Sequence, residues 1–314
     1  MEKIYDLVII GGGPAGLTSA IYAGRSNLSV LVIEKENIGS LHMAHLIDNY
    51  PGFPVGISGK GLQLEMKKQA LKFKTEFLNA TFLGIDIYST PKIVKTDKIN
   101  IKAKAIIIAT GTGKFGGKKI TGEKEFLGKG VSYCATCDGA FTKNMVVSLF
   151  GNGDEVAEEA LFLTKYSKEI LIFTKDEKLE CNKELFDTLT ANEKVKIITN
   201  AELKELKGSE YLDFAVVKVD DEIKEYTIQY AFMYLGTKNL SELYGEVAQL
   251  DDEGYIITDE NLKTDVEGIF VAGDVRSKKI RQVTTAVSDG TIAGMEVIKY
   301  VLINKKKNAV KENN

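Results

Sequence analysis

Two cysteines separated by two residues, Cys134 and Cys137, are the residues of this chain best suited to redox chemistry, and Asp138 follows them directly. A C-x-x-C pair can alternate between a disulfide and a dithiol, and a turn or helix start at the pair stabilises its thiolate. The chain has only two histidines, His42 and His45, and neither is near the motif. Asp138 is therefore the candidate general acid and base, although it could also cap the short turn that follows.

The third cysteine, Cys181, has no second cysteine near it in the sequence. A zinc site needs four ligands, commonly from two C-x-x-C pairs, so a single pair with distant histidines predicts no metal site. Three cysteines also do not form a structural disulfide framework of the kind found in secreted domains. The C-x-x-C pair is therefore predicted to be catalytic, and Cys181 to be an inert thiol.

Length and composition set the class of protein. The chain has 314 residues, enough for about two domains, and is 44% hydrophobic and 27% charged. No apolar run approaches the roughly 18 residues of a membrane span, so we expect no membrane association. The net charge of −3 and the absence of a basic stripe argue against a nucleic-acid partner. The chain begins without a signal-peptide pattern, which favours the cytoplasm.

A glycine-rich segment, the first glycine loop (residues 11–16), follows an apolar run at residues 7–10. A buried strand, such a loop and a following helix form the dinucleotide-binding fingerprint, in which backbone N–H groups bind a pyrophosphate. A second apolar run at residues 30–33 ends at Glu34, where an acid can bind a ribose hydroxyl. The predicted contacts of this site are Gly11, Gly13, Pro14, Ala15, Gly16 and Glu34.

The same layout occurs a second time, with apolar runs at residues 146–150 and 170–173 around a second glycine loop (residues 151–156). Thr174 stands where Glu34 stands in the first unit, so the ribose-binding acid is missing. Val156 stands where a small residue allows the helix to pack closely on the strand. The sequence predicts a second dinucleotide-type fold and leaves its occupancy by a nucleotide open.

Four short motifs bear on the family. They are C-x-x-C-D-G at 134–139, Ala-Thr-Gly at 109–111, Asn-Tyr-Pro-Gly at 49–52 and Gly-Asp at 273–274. In combination they resemble the low-molecular-weight thioredoxin reductases, and the resemblance covers residues 1 to about 303.

The resemblance implies an α/β fold of two Rossmann-like three-layer domains, the second inserted into the first. Residues 1–112 and 246–314 would form a discontinuous FAD-binding domain, and residues 113–245 an inserted nicotinamide-type domain that carries the C-x-x-C. It also implies a homodimer, with Cys137 facing the flavin and Cys134 leading toward the partner protein.

The resemblance adds further FAD contacts. Gly273 and Asp274 would hold the ribityl chain, and Arg281, Gln282 and Val283 would line the flavin ring. The other contacts that it implies are Lys35, Leu41, Asn49, Thr110 and Gly111. Ser40 precedes Leu41 where the family usually has Gln, which should tune the flavin's hydrogen bonds locally.

The resemblance is weakest where the family binds NADPH. Its His-Arg-Arg and further Arg correspond here to Thr174, Lys175, Asp176 and Glu180, so two cations are replaced by acids. A charge-assisted hydrogen bond contributes ~1.5–3 kcal/mol, so losing two costs roughly 3–6 kcal/mol, or about 10²–10⁴-fold in affinity. We therefore expect NADPH to bind poorly.

Together these observations predict an FAD-dependent thioredoxin-disulfide reductase, in which electrons pass from a donor through FAD to Cys134–Cys137 and then to thioredoxin or a thioredoxin-like protein. Three alternatives stay open. The donor could be NADH, with Asp176 or Glu180 accepting a ribose hydroxyl. It could be a low-potential protein such as ferredoxin. The chain could also be a non-enzymatic flavin redox sensor.

Overall fold

The computed structural model describes residues 3–36, 39–112, 120–235, 244 and 246–312. The chain divides into two compact units, one of Met1–Phe115 with Lys238–Asn314 and one of Gly116–Thr237. The second unit is thus an insertion within the first. The predicted domain boundaries at residues 113 and 245 lie outside the described residues and stay predictions.

The described strands and helices alternate along much of the chain. The strands are β1 (Ile4–Ile10), β2 (Val30–Glu34), β3 (Glu76–Asn79), β4 (Phe82–Asp86), β5 (Lys92–Thr96), β6 (Asn100–Ile108), β7 (Val131–Ser132), β8 (Val146–Gly151), β9 (Glu169–Phe173), β10 (Val195–Ile198), β11 (Ala201–Gly208), β12 (Leu212–Val219), β13 (Glu222–Thr227), β14 (Tyr230–Tyr234) and β15 (Ile269–Val271). The helices are α1 (Pro14–Arg25), α2 (Ser40–Met43), α3 (Gly59–Lys72), α4 (Ala135–Asp138), α5 (Asp154–Leu163), α6 (Lys183–Thr190) and α7 (Val283–Glu312).

A seven-stranded sheet with the order β3-β2-β1-β6-β5-β4 forms the first unit, and β15 pairs with the carboxyl half of β6. β1 pairs in parallel with β2 and β6, whereas β5 runs antiparallel to β6. Strands buried on both faces read as continuous apolar runs, which is why residues 7–10 are apolar throughout. Leu7 and Ile9 pack on the side of α1, α3 and α7, and Val8 and Ile10 pack on the opposite side.

Helices α1 and α7 pack closely, which fixes the first glycine loop against the carboxyl-terminal part of the chain. A Cβ atom on Gly290 would lie 2.3 Å from the Ala15 carbonyl oxygen, so only glycine allows this approach. Ser19 Oγ donates to the Gly290 carbonyl oxygen at 2.9 Å.

In the second unit a five-stranded sheet, with the order β10-β9-β8-β14-β7, is parallel in each of its pairs. Val147 and Leu149 pack on the side of α5 and α6, and Phe150 packs on the side of the antiparallel sheet β11-β12-β13. Each unit therefore has layers on both faces of a mainly parallel sheet, which confirms the predicted α/β class with two Rossmann-like domains. No described helix has both the length and the apolarity to cross a membrane.

Candidate active site

The Cys134–Cys137 pair forms a disulfide at the start of α4, with the two Cα atoms 5.3 Å apart. β7 ends at Ser132, whose Oγ accepts a hydrogen bond from the Cys134 N–H at 3.1 Å. Cys134 Sγ accepts the Cys137 N–H at 3.2 Å and lies 3.4 Å from Thr136 Oγ1. The motif therefore has the arrangement that the sequence predicts, a redox pair closing a helical turn.

Asp138 is the last residue of α4 and precedes a 3-10 turn, Gly139–Thr142. Its side chain makes no capping hydrogen bond to that turn, so the capping role considered from the sequence is wrong. Its charge instead acts on the Tyr230 hydroxyl of β14. Burial, and then the Asp138 charge, raise the pKa of Tyr230 far above its ordinary value, so this hydroxyl remains a donor at any physiological pH.

A second tyrosine hydroxyl, that of Tyr234, lies at the start of α4. Tyr234 Oη accepts the Ala135 N–H at 3.2 Å. Burial, followed by the charge of Glu159, raises the pKa of Tyr234 well above its usual range. Tyr230 and Tyr234 are four residues apart on β14 and so share one face of the strand. Sequence reasoning missed both, although this alternate spacing on a strand was a usable signal.

The backbone of the first glycine loop has a positive φ and close approaches that require glycine. Gly11 has φ +120°, and a Cβ atom there would lie 2.2 Å from the Ala109 carbonyl oxygen. A Cβ atom on Gly16 would lie 2.0 Å from the Gly11 carbonyl oxygen. Gly13 caps α1, and a Cβ atom there would meet nothing within 4 Å. The loop is thus tightly packed against the sheet and open on the side of the α1 N-terminus.

Glu34 ends β2 and is 8% exposed. It forms an ion pair with Lys67 of α3, and Gln63 Nε2, from the same helix, donates to the Gly12 carbonyl oxygen at 2.9 Å. A Cβ atom on Gly12 would lie 2.1 Å from Glu34 Oε2. The predicted ribose-binding acid is therefore held between the loop and α3. Lys67 and Gln63 carry no motif, and sequence reasoning missed them.

Gly273 and Asp274 follow β15 and lie beside the first glycine loop, because a Cβ atom on Gly273 would come within 2.9 Å of Ala15 Cβ. The Gly273 N–H donates to Asp289 Oδ2 at 3.0 Å. Asp274 Oδ1 lies 3.2 Å from Lys278 Nζ, yet among the described residues this buried oxygen has no hydrogen-bond partner. Burial raises the pKa of Asp274.

Three of the predicted FAD contacts, Asn49, Arg281 and Gln282, belong to side-chain pairs. Asn49 Nδ2 donates to Gln282 Oε1 at 3.3 Å. The Arg281 guanidinium lies over the Tyr255 ring at 3.8 Å, and Arg281 Nε donates to the Asp274 carbonyl oxygen at 3.4 Å. These contacts join residues that are far apart in sequence and that the family resemblance had grouped.

The other predicted contacts lie on elements of the first unit. Thr110 Oγ1 is 2.8 Å from the Tyr244 hydroxyl oxygen, and Gly111 has φ +73°. Lys35 is exposed directly after β2, Leu41 is buried within α2, and Val283 begins α7.

These features of the first unit fit a dinucleotide. The loop offers open space at Gly13 and the N–H groups of the α1 N-terminus, where a pyrophosphate binds. A buried acid, Glu34, lies beside it. Asp274 Oδ1 is a buried oxygen that makes an ion pair with Lys278 but no hydrogen bond among the described residues, so it can accept one from a hydroxyl.

The second glycine loop is bridged by hydrogen bonds from its own residues, although a Cβ atom on Gly153 would meet nothing within 4 Å. Asn152 Nδ2 donates to Asp176 Oδ2 at 2.5 Å, and Asn152 Oδ1 accepts the Gly153 N–H at 2.9 Å and the Glu180 N–H at 2.7 Å. Thr174 is 1% exposed, and its Oγ1 donates to Asp176 Oδ2 at 3.4 Å. The Asn152 side chain therefore ties the segment 174–180 to the loop where a nucleotide would bind.

Carboxylates also lie at the N-terminus of α5. Asp154 and Glu155 form its first turn, and Asp154 Oδ1 accepts the Asn182 N–H at 2.7 Å. Val156 is fully buried at the position that corresponds to Gly16. Because a helix N-terminus binds phosphate through its positive end, two carboxylates there oppose a pyrophosphate.

Comparison with known proteins agrees with this architecture. A family model described as pyridine nucleotide-disulphide oxidoreductase matches residues 5–290. The thioredoxin reductase of Peptoclostridium acidaminophilum is 38% identical over 97% of this chain and 99% of its own length. The thioredoxin reductase structure from Streptococcus pyogenes MGAS5005 has a TM-score of 0.87 at 37% identity, covering 96% of this chain and 99% of that one.

A ferredoxin-flavin thioredoxin reductase from Clostridium acetobutylicum has a TM-score of 0.52 at 26% identity, covering 96% of this chain and all of that one (100%). Both the family model and the relatives span nearly the whole chain. The chain is an oxidoreductase and belongs to the pyridine nucleotide-disulphide oxidoreductase family, among its low-molecular-weight thioredoxin reductases.

Proposed function

We propose that this enzyme is an FAD-dependent reductase that transfers electrons through Cys134–Cys137 to the disulfide of thioredoxin or a thioredoxin-like protein. The disulfide at the start of α4, with Asp138 on the same turn, is the observation that carries the proposal. The non-enzymatic sensor is the weaker alternative, because a sensor does not need an acid–base group beside its dithiol.

FAD is the cofactor of this family, and when bound and reduced it would supply two electrons to the Cys134–Cys137 disulfide. We assign its pyrophosphate to the N–H groups of the first glycine loop and its ribose to Glu34. Gly273 and Asp274 would hold the ribityl hydroxyls. The buried Asp274 Oδ1 supports this, because it has an ion pair with Lys278 but no hydrogen bond among the described residues, and a hydroxyl could donate to it.

The residues around the dithiol explain how the pair can work in thiol exchange. When the disulfide opens, the Cys137 N–H that already points at Cys134 Sγ stabilises negative charge on that sulfur. Thr136 Oγ1, 3.4 Å away, can donate to the same atom. Cys134 is therefore prepared to attack a partner disulfide, which supports its predicted orientation toward the partner.

For the electron donor we propose a low-potential protein such as ferredoxin rather than NADPH. Asp176 and Glu180 stand where the family has cations that bind NADPH. Asn152 ties residues 176–180 to the loop through hydrogen bonds. NADH is disfavoured for the same reason, since Asp176 Oδ2 already accepts hydrogen bonds from Asn152 and Thr174. The structural likeness to a ferredoxin-flavin thioredoxin reductase supports a protein donor. The cytoplasmic location and the homodimer stay predictions.

Anaerobic mixing of the FAD-loaded enzyme with each donor tests the proposal. We expect reduced ferredoxin to bleach the flavin rapidly, and micromolar NADPH or NADH to bleach it slowly or not at all. Adding oxidised thioredoxin should then restore the flavin absorbance over repeated cycles. Rapid bleaching by micromolar NADPH would contradict the donor proposal, and bleaching without thioredoxin reduction would favour the sensor.

A further inference from the structure

We propose that Asp289 and Lys278 are positioning residues for FAD, which hold the Gly273–Asp274 turn and its carboxylate in place for the ribityl chain. The inference rests on the proposed assignment of Asp274 to that chain, and it is independent of the dithiol and of the electron donor. Neither Asp289 nor Lys278 belongs to a motif that the sequence analysis identified.

Asp289 anchors the turn after β15 to helix α7. Its side chain is 11% exposed, and its two carboxylate oxygens accept hydrogen bonds from three donors. Oδ2 accepts the Gly273 N–H at 3.0 Å and Lys278 Nζ at 3.1 Å, and Oδ1 accepts Arg276 Nη1 at 2.9 Å. All three donors lie in the segment 273–278. One buried carboxylate therefore fixes both the backbone and the side chains of this segment.

The turn and its anchor both pack against the start of α1. Gly273 has φ +82°, and a Cβ atom there would lie 2.9 Å from Ala15 Cβ. Gly290, directly after Asp289, lies so close to the Ala15 carbonyl oxygen that a Cβ atom would come within 2.3 Å of it. Ala15 belongs to the first glycine loop, to which we assign the pyrophosphate. The Asp289 carboxylate thus sets where the turn lies relative to that site.

Lys278 links the anchor to Asp274. Its Nζ atom lies 3.2 Å from Asp274 Oδ1, and its side chain is 13% exposed. Asp274 Oδ1 has this ion pair but no hydrogen bond among the described residues. Burial raises the pKa of Asp274, and the charge of Lys278 opposes that rise. Lys278 therefore favours the ionised carboxylate and leaves its oxygen able to accept a hydrogen bond from a hydroxyl.

Two acids and two cations meet at this turn, namely Asp274, Asp289, Arg276 and Lys278. Their charges balance when both acids are ionised, and a buried carboxylate that loses its cation is strongly disfavoured. Arg276 also donates from Nε to Thr258 Oγ1 at 3.1 Å, so it joins Asp289 to the segment before β15. Arg276 therefore supports the anchor, whereas Lys278 is the cation that contacts Asp274.

Titration of the apoprotein with FAD and with ADP tests the proposal. ADP has the adenosine and the two phosphates of FAD but no ribityl chain, so its affinity reports the first glycine loop and Glu34 alone. The test variants are Asp289→Asn and Lys278→Met. Asp274→Asn measures the contribution of the proposed ribityl contact itself.

Glu296→Gln is the matched control. Glu296 is 9% exposed and lies on the same helix, α7, but it pairs with Lys263 at 3.1 Å and with Lys299 at 2.6 Å instead of with the turn. The substitution therefore removes a buried charge from α7 without touching the segment 273–278, and it should leave the affinities for FAD and ADP unchanged.

For Asp289→Asn and for Lys278→Met we expect the Kd for FAD to rise at least about tenfold, the usual effect of losing a charge-assisted interaction at a buried site. The Kd for ADP should stay within about twofold. In an Asp274→Asn background, Lys278→Met should change the Kd for FAD by less than about twofold, because the carboxylate that it balances is absent.

Equal weakening of FAD and ADP in both variants would show that these residues only support the fold, and an unchanged Kd for FAD would show that they do not position the turn. Either result would overturn the proposal. If Asp289→Asn does not fold, Lys278→Met decides by the same criteria, because it leaves Asp289 bonded to Gly273 and Arg276. Full FAD affinity in Asp274→Asn would contradict the ribityl assignment itself, and the inference would fall with it.

Discussion

The two glycine loops of this chain share a backbone plan and differ in what fills them. In the first loop, Gly12 leaves room for Glu34, because a Cβ atom there would lie 2.1 Å from the carboxylate. In the second loop the corresponding residue is Asn152, and a short Thr174 stands in place of the acid. The Asn152 side chain extends to Asp176 instead. In each loop, the residue at this position therefore fits the carboxylate that lies next to it.

If the second loop binds no nucleotide, as we propose, the domain is kept without that site. The helix and strand around the second loop remain buried, including Val156 on α5 and Thr174 after β9. The domain is still needed, because β7 and β14 position the dithiol and the tyrosines around it. The fold of the second unit therefore positions the cysteines whether or not its glycine loop binds a nucleotide.

The largest expected effect separates the tasks of the two units. Cys134→Ser and Cys137→Ser should each reduce disulfide turnover to background, because a single thiol cannot complete the exchange, while FAD remains bound. Cys181→Ser is the control, since no partner thiol lies beside it in sequence, and should change turnover little. The rate of thioredoxin reduction measures disulfide turnover, and the flavin released on denaturation measures FAD binding. Near-normal turnover in either serine variant would show that the relay lies elsewhere.

Gly12→Asn would make the first loop resemble the second. The added side chain must displace Glu34, so we expect FAD affinity to fall by more than about 100-fold, corresponding to about 3 kcal/mol. The reciprocal Asn152→Gly is the control and should leave FAD content unchanged. Fluorescence titration of the apoprotein with FAD gives both dissociation constants. Full FAD content in Gly12→Asn would show that the match between Gly12 and Glu34 does not control binding.

Restoring the family's NADPH-binding cations should make the second loop more like the first in its ability to bind a dinucleotide. The substitutions are Thr174→His, Lys175→Arg, Asp176→Arg and Glu180→Arg, with Asn152→Gly added in a second variant. We expect flavin reduction by NADPH to improve by about 10–100-fold in the first variant, or about 1.4–2.7 kcal/mol, which is less than the roughly 3–6 kcal/mol lost with the two cations. The rate of flavin reduction by NADPH should rise further in the second variant, because the hydrogen bond from residue 152 to residue 176 is absent.

Stopped-flow reduction of the flavin at several NADPH concentrations measures this gain. NADH, which has no 2′-phosphate, is the control ligand and should gain less. No gain in either variant would identify Val156, fully buried at the Gly16 position, as the obstacle.

The glycine loops and the dithiol follow from local sequence, whereas the contacts between distant segments do not. The glycine spacing, the buried run at residues 7–10 and the C-x-x-C pair are local patterns with a direct structural meaning, so the two Rossmann-like folds and the dithiol were predictable. The contacts of Tyr234 with Ala135, and of Asn152 with Asp176, join distant strands and loops. Such pairs depend on tertiary packing, and no spacing rule encodes them.

The smallest effect concerns the support of Glu34. Lys67→Met keeps most of the apolar stem and removes the ion pair with Glu34, and we expect FAD affinity to fall about three- to tenfold. Lys68→Met, one residue further along α3 and exposed, is the control. FAD titration of both variants distinguishes them. Equal affinities would mean that Lys67 does not position the acid.

Isothermal titration of the FAD-loaded enzyme with NADPH tests the central claim most directly, because it measures occupancy of the second loop without depending on electron transfer. With Asn152 tied to Asp176 and Glu180, and carboxylates at the start of α5, we predict no saturable heat below millimolar NADPH. A single site with a micromolar Kd would contradict the account and show that the second loop opens to a nucleotide.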